Sequence, residues 1–288
     1  MPDRYHLRQD QVVPSSPAAS ADPRTLLDLA VDVAREAAAL VARGRATAAD
    51  DVDRKSSPTD VVTAVDRASE DLIVRRLLAR RPEDGTLGEE GAARPGTSGV
   101  RWVIDPIDGT VNFLYGLPVY AVSIAAEVDG EVRAGVVLNA ATGELFTATL
   151  GGGAYLVAPG AAEPVRLAAS GPVSLEQTLV GTGFSYRVEE RRGQGAVVAR
   201  LLTRVRDIRR LGSSALDLCS VAAGRLDAYY EQGLKPWDHA AAGLVAAEAG
   251  VVLSGLPGTP FGEGMAIAAA PSIAAPLIDL LVELHAGS

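Results

Sequence analysis

Apolar residues recur every three to four positions from 24 to 43, where Leu26, Leu29, Ala30, Val33, Ala37, Leu40 and Val41 share one helical face. Asp22 stands as a cap, Pro23 in the first turn and Gly44 beyond the end, so the spacing predicts a helix. A second helical period runs from about Thr59 to Arg80, capped by Thr59 or Asp60. Its inner stripe is Val62, Val65, Ser69, Leu72, Ile73 and Leu77, and Asp66 falls beside that stripe.

Between 100 and 158 the pattern changes to short β-branched runs. VYAVSIAAEV, VRAGVVLNA and ELFTATL read as sequential antiparallel strands, joined by turns at Asp129-Gly130 and Thr142-Gly143. The glycines of LGGGAY join two strand-like runs with no following GK[ST], which favours a tight β connection over a nucleotide loop.

After 165 helix and strand alternate. Strands are expected near TLVGTG, DIRRL and LDAYY, at 251–253, and in the core run before a terminal helix. Helices are expected through QGAVVARLLTRV, from Ser213 to Ala223, and at 239–249. The chain thus divides into a lead-in at 1–22, an α+β part at 23–160 and an α/β part at 161–288, with a cleft between the last two.

Composition narrows the classes of partner. The chain has 288 residues, 48% of them apolar, which is ordinary globular composition. A net charge of -9 argues against nucleic acid, whose phosphates demand a surplus of Lys and Arg. One cysteine, Cys219, excludes an intramolecular disulfide framework and fits the cytoplasm. It falls on the apolar face of a helix and reads as a structural thiol. The first 22 residues lack the apolar core of a secretory signal and read as a disordered lead-in. The apolar window 266–284 carries Pro271, Pro276, Asp279 and Glu283, which a membrane span would have to bury, so no membrane partner is expected.

The candidate chemistry is acidic. In WVIDPIDGTVNF, Asp105 and Asp108 lie at the end of an apolar run, and Pro106 is expected to turn the chain out of its sheet there. Taken alone, such a stretch is equally a turn. Glu89 and Glu90 follow a short apolar step in LGEEG, where the bland reading is a solvated pair. Asp238 precedes an Ala-rich helix, where it could serve simply as a cap. If Glu89, Asp105, Asp108 and Asp238 converge, their repulsion calls for divalent cations, and all-oxygen ligation selects Mg²⁺ or Mn²⁺ over zinc. Gly109 and Thr110 would open a helix whose N–H groups receive a phosphate.

Taken together, GEE at 88–90, WVIDPIDGTVNF and WDHAAAGLVAAEAG resemble the three signatures of the inositol monophosphatase family. KSSPTDVVTAVD and LGSSALDLCSVAAGRLDAYYE extend the resemblance to roughly residues 25–285, in detail to the bacterial, especially actinobacterial, branch. It implies a layered αβαβα sandwich of the inositol monophosphatase and fructose-1,6-bisphosphatase type.

The resemblance implies further that Glu89, Asp105 and the Ile107 carbonyl hold one Mg²⁺, and that Asp105, Asp108 and Asp238 hold a second. Asp105 would bridge them, with a weaker third ion near Glu89. Thr110 and Asp66 would orient and deprotonate the attacking water. Glu231 and Asp238 match positions that accept substrate hydroxyls, and Gly212, Ser213 and Ser214 match the far wall of the pocket; Asp108, Gly109 and Thr110 complete the substrate set. Lys55 matches a lysine near a metal-site loop, while His239 and Trp237 are expected to pack around Asp238. The implied reaction is two-metal hydrolysis of a small phosphorylated polyol, with inositol monophosphate as substrate, in a lithium-sensitive cytoplasmic homodimer. Competing readings are a histidinol-phosphate phosphatase, a fructose-1,6-bisphosphatase-like activity, a 3'-phosphoadenosine phosphatase, which the short segment from Glu89 to Asp105 disfavours, and, in another class, a non-catalytic metal-binding or regulatory protein.

Overall fold

In the computed structural model, residues 21–45, 52–54, 61–172, 174–262 and 264–286 are described. The first 20 residues of the 1–22 lead-in, the helix caps expected at Thr59 and Asp60, and Lys55 lie outside them.

The chain opens with helix α1 (Pro23–Gly44), capped by Asp22, whose carboxylate accepts the Thr25 N–H at 2.8 Å. Gly44 is its last residue and not the one beyond. A short antiparallel pair, β1 (Val52–Arg54) and β2 (Val61–Thr63), precedes α2 (Ala64–Arg80). The second helix therefore begins later than its apolar period suggests, because Val61–Thr63 pair as strand and Thr63 caps the helix.

Next come β3 (Gly85–Gly88), β4 (Val100–Asp108), the short α3 (Thr110–Tyr115), and the meander β5 (Ala121–Val128), β6 (Glu131–Asn139), β7 (Leu145–Thr149), β8 (Gly153–Val157) and β9 (Val165–Arg166). These strands form one seven-stranded sheet in sequence order, antiparallel except at β3–β4. Asp129 and Gly130 make the β5–β6 turn with positive φ at both residues, as a twisted two-residue hairpin requires. LGGGAY is the β7–β8 connection.

The second half supplies β10 (Leu179–Thr182), α4 (Val188–Leu201), β11 (Asp207–Arg209), α5 (Ser214–Ala222), β12 (Ala228–Gln232), α6 (Pro236–Glu248), β13 (Val252–Ser254), β14 (Met265–Ala269) and α7 (Ala274–Ala286). Its five-stranded sheet has the order β11-β10-β12-β14-β13. Two expected helices shift: α4 runs from 188 to 201 instead of 194 to 205, and α6 starts at Pro236, a residue whose fixed φ suits a first turn.

Strand alternation sorts the side chains into layers. Trp102, Ile104, Val122 and Ile124 face α1 and α2 in one core. Val103, Ala125 and Val137 face α5 and α6 in a second core, which also receives Tyr229 and Ala268 from the other sheet. Ala228, Tyr230, Ile267 and Ala269 point the opposite way, onto α4 and α7. The order is helix, sheet, helix, sheet, helix, the αβαβα sandwich that the resemblance implies.

The alanine-rich character of α6 follows from its place between two sheets. A β-carbon on Gly135 of β6 would lie 2.9 Å from the Ala241 carbonyl oxygen, so helix and strand meet backbone to backbone. Larger residues on either side would force the layers apart at a cost of about 1–3 kcal/mol.

Candidate active site

Strand β4 delivers Asp105, Ile107 and Asp108 together, by a route that differs from the expectation. Pro106 does not turn the chain out of the sheet. The strand bulges instead: Asp105 pairs with Ser123, Asp108 pairs with Ala121, and the register shifts between them. Proline is tolerated there because a bulge leaves a residue without a ladder bond. Asp105 Oδ1 accepts the Ile107 N–H at 3.0 Å, closing the local turn.

The corner after β4 depends on glycine. Gly109 has φ 92°, and a β-carbon there would lie 2.9 Å from the Val119 carbonyl oxygen and 3.1 Å from that of Gly212. The helix that follows does form, though it is only six residues long. Asn112 ties this corner to the second half of the chain, donating 2.8 Å bonds to the carbonyls of Val119 and Leu211.

Glu89 follows β3 directly, and its N–H donates to the Ile104 carbonyl at 3.2 Å, so the parallel β3–β4 pairing places it beside Asp105. Asp238 is the third residue of α6 and not its cap; its carboxylate accepts the Lys235 N–H at 2.6 Å. Asp108 lies against the start of α5, where it accepts from the Ser213 hydroxyl and, at 2.8 Å, from the Ala215 N–H. The Ser214 hydroxyl is 3.2 Å from the Asp238 carbonyl. Ser213 and Ser214 thus brace acidic residues while also lining the cleft.

Asp66 is fully buried on α2, on the same inward face as Ser69, Ile73 and Leu77. One of its oxygens closes a capping box with Thr63, and the other accepts the Thr110 hydroxyl at 2.9 Å. Thr110 is also 3.0 Å from the Ile107 carbonyl.

All these segments open on one cleft of about 590 Å³, a size suited to a small ligand. Glu89, Asp105, Ile107, Asp108, Thr110 and Asp238 line it, together with Gly212, Ser213, Ser214 and Glu231. Asp66 stands behind Thr110. The cleft also takes in Asp217 and Arg210, which the sequence reading did not single out. Asp217 is 1% exposed and keeps one oxygen without a hydrogen-bond partner. Its position three residues after Ser214 on α5 was the available signal. The Tyr229 hydroxyl donates to Glu231, fixing that carboxylate at the cleft wall.

Crowding of acids sets the electrostatics. Burial, then the charges of Glu89, Asp108 and Asp238, push the Asp105 carboxyl well above the usual carboxylate range. Burial likewise raises Asp238 well above it, against the Lys235 hydrogen bond. Asp108 is raised to about 6 by burial, with the Ser213 and Ala215 bonds opposing. Asp66 and Glu231 are raised by burial against their hydrogen bonds, and Asp217 is raised well above the usual range by burial and then by Glu231.

Among the described residues no Lys or Arg forms an ion pair with Asp105, Asp108 or Asp238. Nor have any three described His, Cys, Asp or Glu side chains closed into a ligand shell. Hard carboxylate oxygens of this kind fit a hard divalent cation.

The remaining candidates are structural. Cys219 is fully buried, which pushes its thiol well up, so thiolate chemistry is disfavoured. His239 packs edge-on against Phe261 at 5.4 Å, its pKa lowered by burial. Trp237 lines the cleft beside Asp238. No helix among the described residues is long and apolar enough to cross a membrane.

Two stacked sheets and a cleft walled by carboxylates define a layered α/β protein with an acidic site for a small ligand. The model of the inositol monophosphatase family matches residues 22–285. An inositol-1-monophosphatase of Mycobacterium leprae is 46% identical over 277 residues, covering 90% of this chain and 94% of its own length. The solved structure of Mycobacterium tuberculosis SuhB superposes with a TM-score of 0.78 at 45% identity, over 92% of this chain and 98% of that one. A Staphylococcus aureus inositol monophosphatase II, solved with inositol monophosphate bound, gives a TM-score of 0.71 at 28% identity, over 91% of this chain and 98% of its own. The chain belongs to the inositol monophosphatase family. That family is generally metal-dependent.

Proposed function

We propose that the chain is a Mg²⁺-dependent phosphomonoesterase that hydrolyses inositol monophosphate to inositol and phosphate. The observation that carries this reading is the convergence, in one cleft, of Glu89, Asp105, Ile107, Asp108 and Asp238 beside the Thr110–Asp66 hydrogen bond. The names of the mycobacterial inositol-1-monophosphatases support the substrate.

In this reading Glu89, Asp105 and the Ile107 carbonyl would hold one ion, and Asp105, Asp108 and Asp238 would hold a second, with Mn²⁺ able to substitute and a third ion near Glu89. Bound cations supply the charge that makes water nucleophilic at neutral pH and neutralises the leaving oxygen. The chain's own groups do the rest. Thr110 orients the attacking water, and Asp66, behind it, receives its proton through the hydroxyl. The corner at Gly109 and Thr110 receives the phosphate. Glu231, held by Tyr229, accepts hydroxyls of the polyol ring together with Asp238, and Gly212, Ser213 and Ser214 form the opposite wall. Residues 23–160 and 161–288 act as two parts of one catalytic unit, and both contribute residues to the cleft. A cytoplasmic homodimer completes the proposal.

The test is phosphate release at fixed Mg²⁺ from inositol 1-phosphate, histidinol phosphate, fructose 1,6-bisphosphate and phosphoadenosine phosphate. Inositol phosphate is expected to show the highest kcat/KM. If it ranks last, the substrate assignment fails. A protein inert toward all four would instead support the non-catalytic reading. Sedimentation of the metal-loaded protein checks the dimer.

A further inference from the structure

Helix α2 buries polar residues alongside Ile73 and Leu77 of its inner stripe. Asp66 and Ser69 are 0% exposed and Glu70 is 4% exposed. Each holds a different segment of the cleft. Asp66 meets Thr110, and the Ser69 hydroxyl donates to the Pro106 carbonyl in the β4 bulge at 3.3 Å. Glu70, one helical turn after Asp66, accepts the N–H of Glu90 at 2.9 Å with one oxygen and that of Ala92 at 2.9 Å with the other.

The segment that Glu70 grips is the one that carries Glu89. Gly88 closes the approach from the other side, where a β-carbon would come within 2.2 Å of the Glu70 carboxylate. Two charge-assisted bonds and one glycine contact therefore fix the chain immediately before and after Glu89. Glu89 is a cleft residue and Glu70 is not among those that line it.

We propose that Glu70 is a positioning residue for the cation site, setting the 88–92 segment so that the Glu89 carboxylate stands beside Asp105. The proposal rests on the reading of the cleft as a divalent-cation site. Outer partners that orient metal ligands commonly govern affinity by about 10- to 100-fold. The protein contains its own control. Glu248 on α6 makes the same kind of grip, accepting the N–H groups of Gly151 at 2.7 Å and Gly153 at 2.8 Å, on a turn that does not line the cleft.

The experiment measures Mn²⁺ binding to the full chain by the loss of free-ion paramagnetic resonance, alongside thermal unfolding and the Mg²⁺ dependence of phosphate release from inositol 1-phosphate. Glu70→Ala should weaken Mn²⁺ binding by about tenfold or more. It should raise half-saturating Mg²⁺ by a similar factor, with kcat at saturating Mg²⁺ much less affected. Glu70→Gln, which keeps one acceptor oxygen, should fall between. Glu248→Ala should leave Mn²⁺ affinity unchanged even where it lowers the unfolding temperature as much.

A folded Glu70→Ala variant with wild-type Mn²⁺ affinity overturns the proposal, as does Glu248→Ala weakening Mn²⁺ to the same degree. If Glu70→Ala does not fold, Glu70→Gln decides on the same comparison with Glu248→Ala. Wild-type protein that neither binds Mn²⁺ nor releases phosphate overturns the reading of the cleft and this proposal with it, a result distinguishable because no variant is then needed to see it.

Discussion

The Thr110 hydroxyl lies 2.9 Å from Asp66 Oδ1 and 3.0 Å from the Ile107 carbonyl, yet it has one proton to donate. It therefore links a buried acid on α2 to a backbone oxygen in the β4 bulge, and can serve only one of them at a time.

Because Thr110 and Asp66 act through one hydrogen bond, their effects on turnover should not add. Asp66→Asn and Thr110→Ala are each expected to lower kcat by about 10²- to 10⁴-fold, with Mn²⁺ affinity close to wild type. The double variant should be little worse than the poorer single one. Steady-state kinetics over the four proteins checks this.

Asp105→Asn should abolish Mg²⁺-dependent phosphate release and yet raise the unfolding temperature of the metal-free protein. The substitution removes a buried carboxyl whose ionisation burial and the charges of Glu89, Asp108 and Asp238 oppose, while an amide oxygen can still accept the Ile107 N–H. Calorimetry in chelator, with and without added Mg²⁺, separates the two effects.

The metal-free protein should lose stability as pH rises. Asp108 has a folded pKa of about 6 against an ordinary value of 3.8, so the folded state holds its proton longer than the unfolded chain does. Its contribution is fully present below 3.8 and is lost as pH climbs through about 6. The raised values of Asp105 and Asp238 act in the same direction. In chelator the unfolding temperature should fall between pH 5 and pH 7.5, and Mg²⁺ should restore more at the higher pH, since ligands must ionise to bind it. Scans at both pH values, with and without Mg²⁺, test the sign.

Glu231→Gln should raise KM for inositol 1-phosphate more than for an aryl phosphate that has no ring hydroxyls. Glu231 lines the cleft and is held by the Tyr229 hydroxyl, so the contact at stake is with the polyol and not with the phosphate. Equal effects on both substrates would remove Glu231 from polyol recognition.

Local pattern made much of the fold legible. The period of Leu26, Ala30, Val33 and Ala37 defined α1, and the turn residues Asp129-Gly130 and Thr142-Gly143 set the meander, since both are contests that neighbouring residues decide. The helical period after residue 59 overstates the length of α2, because strand pairing with Val52–Arg54 claims Val61–Thr63, and a partner from another segment leaves no mark on helical periodicity.

The candidate site divides in the same way. The sequence by itself determined which acids are present, and their spacing in WVIDPIDGTVNF and around Glu89 and Asp238 marked them as a group. Only the tertiary structure decided how they meet: the bulge that keeps Pro106 in its strand, the turning of Asp66 and Glu70 inward, and the arrival of Asp217 and Arg210 from α5 and the segment before it. Those outcomes depend on contacts between segments twenty to more than a hundred residues apart, such as Glu70 with Glu90 and Asp108 with Ala215. Chemical identity is local to each residue, but which buried charge faces which is set by how the layers pack.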